Sequence, residues 1–327
     1  MAISTSNLNF DKICKEIHDS WKNPNQFIQI LASLNQFECR KIRETYLNLY
    51  GEDPVLVLQK RGAFSSMAEK GLLMLMINSH ERDAIVAKEA IHEQNDVNFR
   101  ALIEIFTCRK SSHVLLIQQA YQARFKRQLD QDIINIEPSH PYQKILMALS
   151  ASHKAHHQGD VSQHIAKCDA RRLYQTGEGK AGAIDEAVVL EILCKRSIQQ
   201  LKLAFSSYKH IYGHSYINSM ENEYSGEFQD ALRVTINCIC NPSKYFAEAL
   251  YGSLKGTTKD KDALIRVMVS RSEVDMDEIK RIFKNKYAIE LKYAISESIP
   301  LSDYRELLLT LATKPSATSS STFFFSP

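Results

Sequence analysis

Glycine and proline are scarce in this 327-residue sequence, which contains only 11 and 8 of them. Proteins on average contain about 7% glycine and about 5% proline. Turn-rich architectures depend on both residue types, since glycine supplies positive φ and proline presets the turn. The shortage therefore argues against a β-rich fold with many tight turns.

A dominant charge sign is also missing, because 41 Lys and Arg residues face 38 Asp and Glu residues. Dedicated nucleic-acid domains carry basic patches and a pI above about 9, so we expect no nucleic-acid partner. The seven cysteines are odd in number and scattered, and the chain opens MAISTSNLNFDK without a charged and then apolar signal sequence. We therefore expect a reducing, cytoplasmic location.

Long apolar runs are absent as well. The strongest is GLLMLMIN at residues 71–78, which ends at the polar segment SHER. A membrane-spanning helix needs about 18 or more consecutive apolar residues. Any contact with a membrane is therefore expected to be peripheral.

Internal repetition is present. Four segments align without gaps, and each contains two aromatic residues spaced i, i+4, which lie on one helix face. The steps between successive pairs are 75, 87 and 75 residues. The pairs are Tyr46/Tyr50, Tyr121/Phe125, Tyr208/Tyr212 and Phe283/Tyr287. We interpret them as core packing between repeats rather than as a cofactor site.

An arginine precedes the first aromatic by twelve residues in the last three copies, as Arg109, Arg196 and Arg271, whereas the first copy has Leu34. Each arginine follows an apolar run of helical period. A guanidinium has five donors in a fixed fork, so we expect these arginines to satisfy carbonyls at helix ends and to be structural. Leu34 is expected to close the same position by apolar packing.

Every copy contains several apolar runs of helical period, and no sustained period-2 alternation is found. The sequence therefore predicts an all-α protein with four or five helices of about 8 to 15 residues in each repeat. The predicted segments are repeat 1 at 8–83, repeat 2 at 95–157, a polar linker at 158–182, repeat 3 at 183–252, repeat 4 at 253–314 and a disordered tail at 315–327. A helix is expected around residues 162–174 of the linker.

These four helical copies, with a longer connection after the second, resemble the annexins, and among them the plant annexins. The most specific matches are HERDA at 80–84, NPSKYFA at 241–247, LIRV at 264–267 and SRSEVDM at 270–276. The resemblance implies a curved disc of four five-helix repeats. It also implies a convex face that binds anionic phospholipid membranes through Ca²⁺.

The annexin calcium site combines carbonyls of a G-x-G-T loop with a carboxylate about forty residues later. In the fourth copy, residues 254–260 (LKGTTKD) match that loop, so Leu254, Gly256 and Thr258 would supply carbonyls and Glu297 the carboxylate. Thr258 replaces the second glycine, and a β-branched residue at positive φ is strained. We therefore expect weakened, low-affinity Ca²⁺ binding there.

The other copies depart further from the pattern. In the third, Glu223 supplies a carboxylate, but Ala181 and Ala183 occupy the glycine positions, and Glu223 alternatively caps the helix that follows. In the first, residues 18–24 (HDSWKNP) contain no glycine and residues 59–62 (QKRG) contain no acid, so this site is expected to be lost. The second copy has no glycine loop, as is usual in the plant family.

Membrane contact without calcium is a further expectation for the first copy. Trp21 resembles the loop tryptophan of plant annexins, and an indole suits the lipid interface. Lys22, Lys60 and Arg61 would add attraction to anionic headgroups, and Lys255 is assigned the same role in the fourth copy. A half-buried surface tryptophan is the alternative for Trp21, and Phe323, Phe324 and Phe325 of the tail are a second candidate lipid contact.

Two further groups of residues suggest other chemistry. His153, His156, His157 and His164 with Cys168 suggest zinc, but they lack a specific ligand pattern, so a solvated connector is the default. Cys108 and Cys238 resemble a cysteine pair discussed as a redox cluster in plant annexins, but their apolar neighbours favour inert core thiols.

The resulting hypothesis is a non-enzymatic, peripheral membrane-binding protein of the annexin type whose calcium dependence is weakened. Self-association on membranes is left open. The alternative is a scaffold that has kept the annexin fold and binds membranes or proteins without calcium.

Overall fold

The computed structural model describes residues 9–92, 97–151, 161–179, 184–220, 226–256 and 260–314. Within these ranges the chain forms twenty α-helices, one short 3-10 helix (Ser20–Lys22) and no strand. The prediction of an all-α protein is confirmed.

Two compact units divide the chain, one formed by residues 1–79 with 243–327 and the other by residues 80–242. The helices of the first unit are α1 (Phe10–Asp19), α2 (Pro24–Ser33), α3 (Gln36–Tyr50), α4 (Pro54–Arg61), α5 (Ser66–Met76), α16 (Pro242–Lys255), α17 (Lys261–Arg271), α18 (Met276–Tyr287), α19 (Leu291–Ser298) and α20 (Asp303–Thr313). Those of the second unit are α6 (Ser79–Ile91), α7 (Phe99–Thr107), α8 (Ser111–Phe125), α9 (Leu129–Ile134), α10 (Pro141–Ser150), α11 (Gln163–Gln175), α12 (Glu186–Lys195), α13 (Ile198–Tyr212), α14 (Tyr216–Ser219) and α15 (Glu227–Cys240).

Local sequence sets the ends of these helices. Before α3, the Asn35 side chain accepts from the Glu38 amide at 2.9 Å while the Glu38 carboxylate accepts from the Asn35 amide at 2.8 Å, a reciprocal capping box. Gly51 and Gly213 end α3 and α13 at φ 72° and 82°. Lys126 and Ala288 adopt the same left-handed conformation after α8 and α18, which costs a non-glycine residue about 1 kcal/mol or more.

In chain order the helices fall into four sets of five, which are α1–α5, α6–α10, α11–α15 and α16–α20. Each aromatic pair lies on the third helix of its set. The first member of each pair is fully buried, with at most 1% of its surface exposed. The second member packs on the first helix of the same set. Tyr212 stacks on Tyr174 at 4.1 Å between ring centroids, and Tyr287 stacks on Tyr251 at 3.7 Å. The core role is confirmed, but the packing lies within a set rather than between sets.

Two helices run across predicted segment boundaries. α6 runs through residue 83 and α16 runs through residue 252 without a break, so both boundaries fall inside helices. The physical reason is that aromatic periodicity locates the middle of a repeat and not its ends. The helix expected around residues 162–174 is present as α11, with Ser162 as its N-cap.

Candidate calcium-binding and membrane-binding sites

The fourth copy supplies the most complete set of candidate calcium ligands. α16 ends at Lys255, and the Gly256 amide donates to the Gly252 carbonyl at 2.8 Å. A Cβ at Gly256 would lie 2.3 Å from that carbonyl oxygen, so this position requires glycine. Leu254 is buried, and Thr258 lies outside the described residues.

The candidate acid of this copy already has a cationic partner. The Lys255 ammonium donates to Glu297 Oε2 at 2.9 Å, joining the end of α16 to α19 across 42 residues of sequence. Both side chains are partly exposed, at 32% and 58%. The sequence assigns Lys255 to lipid headgroups, but its ammonium is engaged with the candidate carboxylate of the same site.

Hard oxygen donors are the ligands that calcium prefers, and the backbone carbonyls of the fourth loop with the Glu297 carboxylate belong to that class. Within the described part of the chain, no cluster of three or more His, Cys, Asp or Glu side chains could hold a metal ion. The fourth copy is therefore expected to bind calcium through carbonyls plus one carboxylate, and the Lys255 ammonium competes for that carboxylate.

The third copy is described only in part, because Ala181, Ala183 and Glu223 lie outside the described residues. Beside that loop, Glu178 accepts from the Tyr208 hydroxyl at 2.7 Å and from His214 at 2.8 Å. Burial would raise the pKa of Glu178, but these two partners outweigh it and lower the pKa. Sequence analysis missed this acid, and its place between two glycines was the available signal.

The first copy corrects the expectation for Trp21. Its side chain is 4% exposed, and the indole donates to the Tyr46 hydroxyl at 3.0 Å. The ring packs on Phe27 at 4.5 Å between centroids. Because the loop residues around Trp21 coil into the 3-10 helix Ser20–Lys22, the indole turns into the core. Neither an interfacial nor a half-buried tryptophan is found.

The cations expected beside it do remain at the surface. Lys22, Lys60 and Arg61 are all exposed. The Arg61 guanidinium lies 5.1 Å from the centroid of the Trp21 ring, which is within the range of a cation–π contact. The buried Trp21 ring therefore contacts the exposed Arg61 side chain and helps to position it.

The three repeat arginines bind carboxylates rather than the helix-end carbonyls that were expected. Arg109 donates to Asp83 at 2.6 and 3.2 Å, and Arg196 donates to Asp169 at 2.7 and 3.0 Å. Arg271 instead binds Asp275, at 2.8 Å, one turn further along the chain. A carboxylate matches both arms of the guanidinium fork and neutralises it, which a carbonyl does not do. In the first copy Leu34 is buried, as predicted.

The two remaining candidates from the sequence are a cysteine pair and a histidine-rich linker. Cys108 Sγ lies 3.6 Å from Cys238 Sγ, and the pKa of the Cys238 thiol is raised by its hydrogen bond with Cys108 and by burial, which disfavours the reactive thiolate. His153, His156 and His157 lie outside the described residues, while His164 Nε2 and Cys168 Sγ are 3.7 Å apart.

Helices long and apolar enough to cross a bilayer are not found in the described ranges. The tail phenylalanines Phe323, Phe324 and Phe325 lie outside those ranges.

Comparison with known proteins gives a consistent result. The Annexin family model matches residues 168–234 and 245–311. Mouse annexin A4 is 35% identical over 285 residues, covering 87% of each chain, and human annexin A13 is 32% identical over 314 residues, covering 95% of this chain and 97% of its own. The solved structure of annexin III aligns with a TM-score of 0.83 and 32% identity over 94% of this chain and 95% of that one.

Annexins typically bind calcium and phospholipid, and they are generally not enzymes. The four five-helix sets, the matched residues and the full-length relatives lead to one conclusion: the chain belongs to the annexin family.

Proposed function

We propose that this annexin is a non-enzymatic, peripheral membrane protein that binds anionic phospholipid with weakened calcium dependence. A plant-type annexin is the subtype that we propose, on the loop position of Trp21 and the lack of a glycine loop in the second copy.

The Lys255–Glu297 ion pair carries the proposal. Calcium bound by the fourth loop would need Glu297, and the Lys255 ammonium already occupies Oε2 of that carboxylate at 2.9 Å. Exposed ion pairs contribute about 0–1 kcal/mol, which corresponds to a roughly fivefold loss of calcium affinity at most. The ion pair with Lys255 therefore lowers the calcium affinity of the site but does not abolish calcium binding.

Exposed cations of the first copy supply the attraction that does not need calcium. Lys22, Lys60 and Arg61 are exposed, and they belong to the sequence segments in which the family pattern has calcium ligands. Each cation near an anionic bilayer contributes about 1 kcal/mol to binding. Three of them therefore offset the binding free energy that a calcium ion would supply in this copy. Screening by salt, with a Debye length of about 10 Å at 0.1 M, should weaken this contribution.

Vesicle sedimentation tests the proposal. Phosphatidylserine/phosphatidylcholine vesicles should pull down the protein in chelator at low salt, and millimolar calcium should increase binding only severalfold. Vesicles of phosphatidylcholine alone should not bind. The proposal is wrong if anionic vesicles bind no protein under either condition, a result that would favour a protein scaffold. Binding that depends wholly on calcium would contradict the calcium-independent part.

A further inference from the structure

Leu301 is the most exposed large apolar side chain in the described part of the chain. Its surface is 88% exposed, whereas the next in rank, Tyr293, is 55% exposed. Leu301 lies between α19 and α20 in residues 299–302, which we call the fourth corner. Its exposure brings no gain in folding free energy, because an apolar side chain contributes to stability only when it is removed from water.

The fourth corner is held firmly from both sides. Ile299 is buried, and its amide donates to the Ile295 carbonyl at 2.9 Å. On the other side, the Ser302 hydroxyl accepts from the Arg305 amide at 3.2 Å and caps α20. Leu301 is thus presented on a fixed turn, so little conformational entropy remains to be lost when it binds something.

Hydrogen bonds tie this corner to a second one, residues 59–65, which we call the first corner. Asp303 accepts from the Ser65 amide at 2.5 Å and from the Ser65 hydroxyl at 2.6 Å. The first corner contains the exposed cations Lys60 and Arg61. Leu301 precedes Asp303 by two positions in the chain, and each residue spans at most about 3.6 Å. The exposed Leu301 and the cations Lys60 and Arg61 therefore lie on two corners that are joined by hydrogen bonds.

The candidate calcium loop adjoins the same corner. Glu297 precedes Leu301 by four residues, and the buried Tyr304 donates its hydroxyl to the Lys261 carbonyl at 3.1 Å, at the start of α17. Leu301 is thus bonded through its neighbours to both ends of the fourth loop, which the family pattern assigns to the membrane.

We infer that Leu301 inserts into the interfacial region of an anionic phospholipid bilayer while Lys60 and Arg61 contact the headgroups. The inference rests on the proposed function and adds an apolar anchor to it. A protein partner fits less well, because stable protein interfaces need about 800 Å² on each side and a central apolar cluster. One exposed leucine near two cations provides neither that area nor an apolar cluster. A bilayer can accommodate a single inserted side chain.

Two substitutions at Leu301 test the insertion, measured with phosphatidylserine/phosphatidylcholine vesicles in chelator and again in calcium. Leu301→Ala should weaken vesicle binding about five- to tenfold in both conditions, since most of one apolar side chain no longer leaves water. Leu301→Trp should bind at least as well as the parent, because tryptophan favours the interface. Its emission should be quenched by brominated acyl chains.

The chain supplies two internal controls. Leu49→Ala removes a leucine of α3 that is 45% exposed and should not change binding. Trp21, the sole tryptophan of the parent, is buried and should give emission that brominated lipid leaves unaltered. Equal melting temperatures would show that all the variants fold.

Four outcomes would overturn the inference. If the parent binds anionic vesicles but Leu301→Ala binds equally well, insertion is wrong and the proposed function stands. If the Leu301→Trp protein binds vesicles but brominated lipid does not quench its emission, insertion is likewise wrong and the proposed function stands. If sedimentation velocity shows self-association that is lost in Leu301→Ala, the side chain binds a second copy of the protein and not the bilayer. If the parent binds no vesicles in either condition, both the inference and the proposed function are wrong.

Discussion

Arg196 donates two hydrogen bonds to the Asp169 carboxylate, of 2.7 Å from Nε and 3.0 Å from Nη2. The carboxylate is 1% exposed and the guanidinium side chain 26% exposed. Arg109 and Asp83 repeat the arrangement, with side-chain exposures of 13% and 5%. A buried carboxylate needs such a partner, because an isolated charge out of water is costly.

Arg196→Leu should therefore destabilise the protein by about 3 kcal/mol or more, since it strands the Asp169 charge. Urea unfolding would measure this cost. The double variant Arg196→Leu with Asp169→Leu should recover part of it, because no unpaired charge remains. Vesicle binding by the folded variant should equal that of the parent. Unaltered unfolding together with lost vesicle binding would assign Arg196 to the membrane instead.

Asp83 gives a dependence of stability on pH. Burial alone would raise the pKa of Asp83, but the neighbouring His113 and the Arg109 charge outweigh it, so the pKa lies well below its usual value. A depressed pKa contributes stability above the unfolded value of about 3.9, and this contribution is lost as the pH falls toward the folded value.

The melting-temperature difference between the parent and Asp83→Asn should accordingly be large at pH 7 and 5 and shrink below about pH 4. Thermal unfolding at pH 7, 5, 4 and 3 would measure it. A difference that stays constant down to pH 3 would contradict the assigned pKa.

Trp21 should matter for folding rather than for lipid. Trp21→Ala leaves a cavity in the core of the first unit, at a cost of about 3–5 kcal/mol. Trp21→Phe keeps most of the volume and removes mainly the hydrogen bond to Tyr46, which costs about 1 kcal/mol. Vesicle binding in chelator should be unchanged in Trp21→Phe. A selective loss of lipid affinity in that variant would restore the interfacial role expected from the sequence.

The sequence predicted what short-range periodicity determines. The i, i+4 spacing of Tyr208 and Tyr212 was enough to identify a core helix, because both side chains fall on one face. Trp21 was mistaken for a surface residue, since its loop position and its indole N–H suggested the interface. Its burial depends on the Tyr46 hydroxyl, 25 residues away, which accepts that N–H.

Partners distant in sequence explain the remaining differences. Nothing local in Lys255 reveals that its ammonium meets Glu297, and nothing local in Arg196 distinguishes a carbonyl from the Asp169 carboxylate. The exposure of Leu301 has the same origin, because only the completed packing of α19 and α20 shows that the side chain has no place in the core.

Lys60 and Arg61 should account for binding that resists chelator. Replacing both with glutamate should lower the affinity for anionic vesicles more than tenfold at low salt, since each cation contributes about 1 kcal/mol. The effect should shrink as salt rises. Arg40→Glu with Lys41→Glu on α3 changes the net charge equally and should have a smaller effect. Equal losses from the two double variants would mean that only net charge matters.

Residual calcium binding should depend on the Glu297 carboxylate and be opposed by the Lys255 ammonium. Calorimetric titration of calcium in the presence of anionic vesicles tests it with three proteins. The parent should bind weakly, Glu297→Gln should lose most of the heat, and Lys255→Met should bind up to about fivefold more tightly. Calcium binding by Glu297→Gln that matches the parent, or weaker binding by Lys255→Met, would mean that Glu297 is not the calcium ligand or that Lys255 does not oppose calcium.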